Sequence, residues 1–279
     1  MEISDGTGIA RGAERTLGKA NDLADSRPMD WAARAGLTAR AVVYVLIGLL
    51  ALLVAQGHRA EVDQKGALAQ VIAKPYGGWV VGLLAVGFAC YSLWRLSEAA
   101  FGVAGEGSKA GPRAQSLVRG LIYAFLAFSA VSLLQGSRQG QSAQQRGYAA
   151  QAMSHPGGRW VVGIVGAIVV VAGLAMVIEG LKLKFMRYFP GGAIPAGVRS
   201  AVRQMGRIGT VARGLVFALA GALVVAAAWT YDARKAAGLD GALKTLRDQA
   251  YGPFLLGLAG LGLIAFGIYG FAEARYRRV

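Results

Sequence analysis

Six stretches of the chain carry no charged residue: Ala41 to Gln56, Tyr76 to Trp94, Gly120 to Ser137, Trp160 to Ile178, Gly214 to Tyr231 and Tyr251 to Ala272. Each is 16–22 residues long, and the charges cluster between them. A helix crossing the hydrocarbon needs roughly 20 residues, fewer where its flanks contribute. The pattern therefore predicts an all-α integral membrane protein with six transmembrane helices. All seven prolines (Pro28, Pro75, Pro112, Pro156, Pro190, Pro195 and Pro253) fall outside the apolar interiors or at their edges. The spans are expected to be unbroken, unlike the discontinuous helices that form many transporter sites. Residues 1–30 are polar and lack the apolar core of a signal peptide, so a mobile cytoplasmic tail and no cleaved signal are expected. Asp30 to Thr38 then leads helically into the first span.

The loops have a pattern of their own. Leu68, Val71 and Ile72 sit at helical spacing, as do Ala149, Ala152 and Met153, and Leu243 with Leu246. A short amphipathic helix is expected in each of these three loops. Gly77, Gly158 and Gly252 are expected to turn the chain into the following span.

These elements repeat three times. Arg34, Arg40 and Tyr44 recur as Arg113, Arg119 and Tyr123, then as Arg207, Arg213 and Phe217. Gly66, Gly77, Gly82 and Glu98 recur as Gly147, Gly158, Gly163 and Glu179, and again as Gly241, Gly252, Gly257 and Glu273, at identical internal spacings. The repeats cover 31–102, 113–182 and 203–279, within one membrane domain. Two spans per repeat return the chain to the same side. The repeats should thus be parallel, with a pseudo-threefold axis along the membrane normal.

Charge adds orientation. The chain is 55% hydrophobic, with 30 Lys+Arg against 15 Asp+Glu, a net +15. The tail, the loops after spans two and four, and the C-terminus hold 20 of the basic residues, and the other three loops hold 10. The positive-inside rule places both termini in the cytoplasm. Trp79, Trp160 and Trp229 would mark the outer interface, Trp31 and Trp94 the inner one. The basic excess then faces anionic inner-leaflet lipid, and no nucleic-acid partner is expected.

The pattern R-x5-R-[AG]-x2-[YF], the Gly66-Ala67-Leu68 and Gly241-Ala242-Leu243 strings, the Pro-x-Gly turn and Tyr91-Ser92-Leu93-Trp94-Arg95-Leu96 resemble the bacterial membrane family known as domain of unknown function 1206. The resemblance covers about residues 31–276. It implies tandem two-helix repeats and a bacterial inner-membrane location, and it implies no activity. Repeat two departs from it: Tyr148-Ala149 replaces Ala-Leu, and Ala175 stands where Trp94 does.

The candidate chemistry is the charge that repeats in register. Arg40, Arg119 and Arg213 immediately precede spans, and Glu98, Glu179 and Glu273 immediately follow them. A carboxylate at that depth is costly unless paired, so three Arg–Glu bridges are expected near the cytoplasmic face. Tyr44, Tyr123 and Phe217 are the repeat aromatics beside them. Small residues crowd the spans and suit close helix packing, within the chain or in a homo-oligomer. One Cys and two His, His58 and His155, offer no metal site. No catalytic residue set and no cofactor is expected. The spans hold little polar lining at depth beyond Ser92, Ser129 and Ser132. That favours a non-catalytic bundle that binds lipid or a partner protein, or acts as a scaffold. The alternative is a small-solute or ion transporter or channel along the pseudo-threefold axis.

Overall fold

A computed structural model describes residues 27–58, 60–102, 110–136, 140–189 and 191–277. Residues 1–26 of the expected tail lie outside the described residues. Nine α-helices are described: α1 Arg27–Ala55, α2 Gln64–Ile72, α3 Gly77–Phe101, α4 Ala110–Leu134, α5 Gln141–Met153, α6 Gly158–Leu181, α7 Ala196–Thr230, α8 Gly238–Arg247 and α9 Gly252–Tyr276. Short 3-10 turns lie at Lys184–Tyr188 and Ala233–Lys235. Six helices, α1, α3, α4, α6, α7 and α9, are long and apolar enough to cross a membrane. The chain is a multi-pass membrane protein.

Small residues decide how these spans meet. The most extensive contacts join α3 to α4, α6 to α7 and α9 to α1. Each pair joins the second span of one repeat to the first span of the next, and the last helix returns to the first. The three seams share one register. On α6, Gly173 faces Gly214 of α7; a Cβ on Gly173 would lie 2.7 Å from the Gly214 carbonyl oxygen. One repeat onward, Gly267 of α9 meets Ala41 and Val45 of α1. One repeat back, Ser92 of α3 donates to the Gly120 carbonyl of α4 at 2.9 Å. Two turns away, Gly166 with Gly221 and Gly260 with Gly48 repeat the contact. With lipid outside, water expulsion gives little drive between spans, so such close van der Waals packing carries the association.

Within repeats the packing is unequal. The spans α1 and α3 pack together, as do α7 and α9, whereas α4 and α6 make no extended contact. In the apolar window of α1, 61% of residues are buried, against 17% in α6. The sequence supplies the reason. Tyr91 and Trp94 of repeat one, and Phe266 and Tyr269 of repeat three, are buried in the core. Their counterparts in repeat two are Ala172 and Ala175, and both are exposed. Without aromatic bulk there, α6 has nothing with which to reach α4, and the bundle is open on that side.

Both ends of the bundle are covered. At one end the amphipathic helices α2, α5 and α8 gather, with α5 meeting both of the others. Asp63 caps α2, its Oδ1 accepting from the Gly66 amide at 2.8 Å. Asp240 accepts from the Val62 amide at 2.8 Å and from Ser142 at 3.2 Å. At the other end the segment after α6 folds back under the bundle, where Phe185 and Phe189 pack edge-on against Tyr269.

Two local expectations are corrected. Gly77, Gly158 and Gly252 do not supply the left-handed residue that turns the chain. The preceding residues do: Tyr76 (φ 62°), Gly157 (φ 76°) and Tyr251 (φ 60°). The glycines are needed for close approach instead, because a Cβ on each would collide with the carbonyl of Val71, Ala152 or Arg247. Trp94 is not an interface anchor. It is buried, with the Arg95 guanidinium 4.2 Å from its ring. Trp79, Trp160 and Trp229 are exposed near the amphipathic-helix end.

Candidate functional site

The repeated arginines and glutamates converge at the end opposite the amphipathic helices. Arg40 of α1 forms an ion pair with Glu273 of α9, joining the first repeat to the third. Arg277 holds the other oxygen of Glu273 at 3.0 Å. Glu98 of α3 is held by Arg95 at 2.6 Å, one turn away on its own helix, and by the Ser116 hydroxyl at 2.9 Å.

Two of the three expected bridges do not form. Glu98 already belongs to Arg95, so Arg119 makes no hydrogen bond or ion pair among the described residues. It stands within electrostatic reach of Arg95, Tyr91, Arg213 and Tyr188. Arg213 turns to aromatic rings instead, 4.8 Å from the Phe266 centroid, 5.1 Å from Phe217 and 5.2 Å from Tyr44. Glu179 is half-buried and makes no ion pair among the described residues.

The repeat aromatics form the walls. Tyr44 packs edge-on against Phe266 at 4.8 Å. Tyr123 lies 4.3 Å from Tyr91, whose hydroxyl accepts from Arg95 Nε at 3.0 Å and from Arg40 Nη1 at 3.4 Å. Arg277 also stacks on Tyr188, at 4.3 Å, and on Trp94, at 5.5 Å. Sequence reasoning missed Arg95 and Arg277 as partners because neither recurs. Their repeat counterparts are Met176 and Gly270, and Gly102 and Leu183. The signal available was local: Arg95 stands three residues before Glu98, and Arg277 four after Glu273, both helical neighbours.

The outlying arginines of each pair diverge. Arg34 donates to the carbonyls of Ala274 and Arg275 at 2.8 and 2.9 Å, and Arg113 to those of Ala99 and Ala100 at 2.8 and 2.9 Å. Each thereby satisfies orphan carbonyls at the C-terminus of the span it packs against, α9 for Arg34 and α3 for Arg113. Arg207, the third of the set, does not. After α6 the chain turns at once through Leu183 (φ 55°), and the amides of Lys182 and Leu183 take the carbonyls of Ile178 and Gly180. Arg207 is left exposed at the mouth of an apolar groove of about 610 Å³. Ile208, Val211, Leu215 and Leu219 of α7 form one wall, and Leu255 and Leu258 of α9 another.

At the amphipathic-helix end, burial pushes the Asp63 carboxyl up to about 6, with the negative charges of Glu61 and Asp240 adding to the effect. A raised carboxyl pKa means the fold prefers the protonated form. Its contribution is full below pH 4 and is lost as the pH rises through 6. Asp63→Asn keeps a cap acceptor without the charge. This variant should match the parent in melting temperature at pH 4 and exceed it at pH 7.5. The gain should be at most about 3 kcal/mol. Identical pH profiles for the two proteins would refute the effect.

His58 bonds to the Leu53 carbonyl, and His155 to the Gln151 carbonyl and the neighbouring Ser154 hydroxyl. No group of three or more His, Cys, Asp or Glu side chains among the described residues could hold a metal ion.

Comparison with known proteins places the chain in a family. The family described as domain of unknown function 1206 matches it three times, over residues 35–102, 114–182 and 208–277. The chain belongs to that family. The "Uncharacterized protein YxxB" of Bacillus subtilis (strain 168) is 28% identical over 249 residues, covering 88% of this chain and 90% of the relative. No solved structure matches the chain.

Proposed function

We propose that this member of the domain of unknown function 1206 family is a non-catalytic helical bundle of the bacterial inner membrane that binds anionic lipid. Both termini lie in the cytoplasm, on the side with more Lys and Arg. The three seams built at one register support a pseudo-threefold arrangement of parallel repeats, broken in repeat two.

The observation that carries the lipid reading is the groove along α7 and α9, with Arg207 and Gln204 at its mouth. Its walls suit acyl chains. Its mouth offers a cation that makes no hydrogen bond or ion pair among the described residues, as a phosphate headgroup requires. A transport path is the weaker reading, because helices α2, α5 and α8 cover one end and the segment after α6 covers the other. Most span glycines pack in seams within the chain, and Gly82 and Gly257 stand in open space.

The test uses nanodiscs of equal phosphatidylglycerol and phosphatidylcholine, with native mass spectrometry after release. The protein should retain phosphatidylglycerol in preference, and Arg207→Gln should reduce that retention about tenfold, the worth of one charge-assisted contact. Release free of lipid, or ion flux through the purified protein in liposomes, would end this reading.

A further inference from the structure

We infer that the arginine cluster at the end opposite the amphipathic helices is a second, separate site, which binds a phosphate-type oxyanion. Five guanidinium groups converge there: Arg40, Arg95, Arg119, Arg213 and Arg277. They face three carboxylates, those of Glu98, Glu179 and Glu273. Shared neighbours tie the five together. Arg40 and Arg95 both donate to the Tyr91 hydroxyl. Arg40 and Arg277 both hold Glu273. Arg40 and Arg213 both stack on Phe266. Arg119 has Arg95 and Arg213 as its charged neighbours.

Charge leaves this cluster uncompensated by two. Hydrogen bonding leaves it uncompensated as well. Arg40 Nε, Arg95 Nη2, Arg213 Nε and Arg277 Nε are buried and have no acceptor, and the Tyr269 hydroxyl beside Glu273 and Arg277 has no partner. Arg40, Arg95 and Arg277 are each more than nine-tenths buried. Buried guanidinium donors without acceptors are costly, and several within one cluster rarely persist without a ligand. All of these groups donate, so the missing partner accepts. It must offer several oxygens and negative charge, which is the chemistry of a phosphate group. Free phosphate brings up to two charges and a phosphodiester headgroup one, and either offers more acceptor sites than a carboxylate. Arg119 and Arg213 are only half-buried, so the cluster reaches the surface at these two residues. They are the two repeat arginines that found no glutamate, and they give the oxyanion its way in.

A lipid headgroup and a free phosphate share this chemistry, and two arms separate them. In the first, the purified protein is melted in neutral detergent at constant ionic strength while sodium phosphate replaces sodium chloride. In the second, it is melted in nanodiscs of pure dioleoylphosphatidylglycerol and of pure dioleoylphosphatidylcholine. A saturable rise of about 5 °C with phosphate assigns the site to a free oxyanion. A rise confined to phosphatidylglycerol assigns it to a headgroup. In either case Arg119→Gln should abolish the rise while leaving the chloride melting temperature at or above the parent's, because Arg119 makes no bond that the change would break. Arg213→Gln should reduce the response in the same way. Arg159→Gln, at the exposed far end, should respond as the parent does. No rise in either arm, or an undiminished rise in Arg119→Gln, overturns the inference. Headgroup-selective retention that is lost in Arg207→Gln, together with no rise in either melting arm, would leave the groove standing and remove only this site.

Discussion

Glu273→Gln will lower the stability of the protein by about 3–5 kcal/mol, the usual result of removing one partner from a buried ion pair. In a chain of this size that is a fall in melting temperature on the order of 10 °C. The carboxylate is 4% exposed and holds Arg40 on one oxygen and Arg277 on the other. Its loss strands two buried guanidinium groups and leaves the seam between the first and last spans without its ionic lock. Glu179→Gln, at the same repeat position, should cost less than about 1 kcal/mol, because Glu179 is half-buried and makes no ion pair among the described residues. Equal melting temperatures for the two variants would contradict this account of the cluster.

Gly173→Leu will have a comparable effect through packing. The α6 helix is anchored in the bundle chiefly by α7, at a register where even a Cβ collides with the Ala218 backbone. A leucine there cannot be housed by a side-chain rotation, since the obstacle is main chain. The seam must part, at a cost above about 3 kcal/mol. Gly257→Leu is the control: nothing lies within 4 Å of a Cβ at Gly257, so the change should stay within about 0.5 kcal/mol. Partial proteolysis should cut the Gly173→Leu protein around α6 first. A variant as resistant as the parent would show that this seam is not what holds α6.

Much of the fold can be read from residue periodicity. The six uncharged runs mark the spans to within a few residues, and the three loop stripes mark α2, α5 and α8. What periodicity could not show is how the copies differ once they face each other. The repeat predicts three equal Arg–Glu bridges, but Arg95 is present in one copy alone and takes Glu98 from Arg119. The loop after α6 reads as a basic segment, yet Phe185, Tyr188 and Phe189 make it a cover for the bundle. The replacement of Trp94 by Ala175 is visible in the sequence. Its consequence, a bundle open between α4 and α6, needs the packing partners in space. The polar contacts among Asp63, Ser142 and Asp240 carry no common register and left no mark on the repeat.

The claim on which the account turns is that the bundle is open to lipid beside α6. A photoreactive benzophenone amino acid at Ala172, irradiated in native membranes and read by intact-protein mass spectrometry, tests it most directly. The account predicts an adduct carrying phospholipid mass at Ala172 and none at Phe266, the buried counterpart in repeat three. A cross-link from Ala172 to α4 within the chain, with no lipid adduct, would mean that the ring of spans is closed and would contradict it.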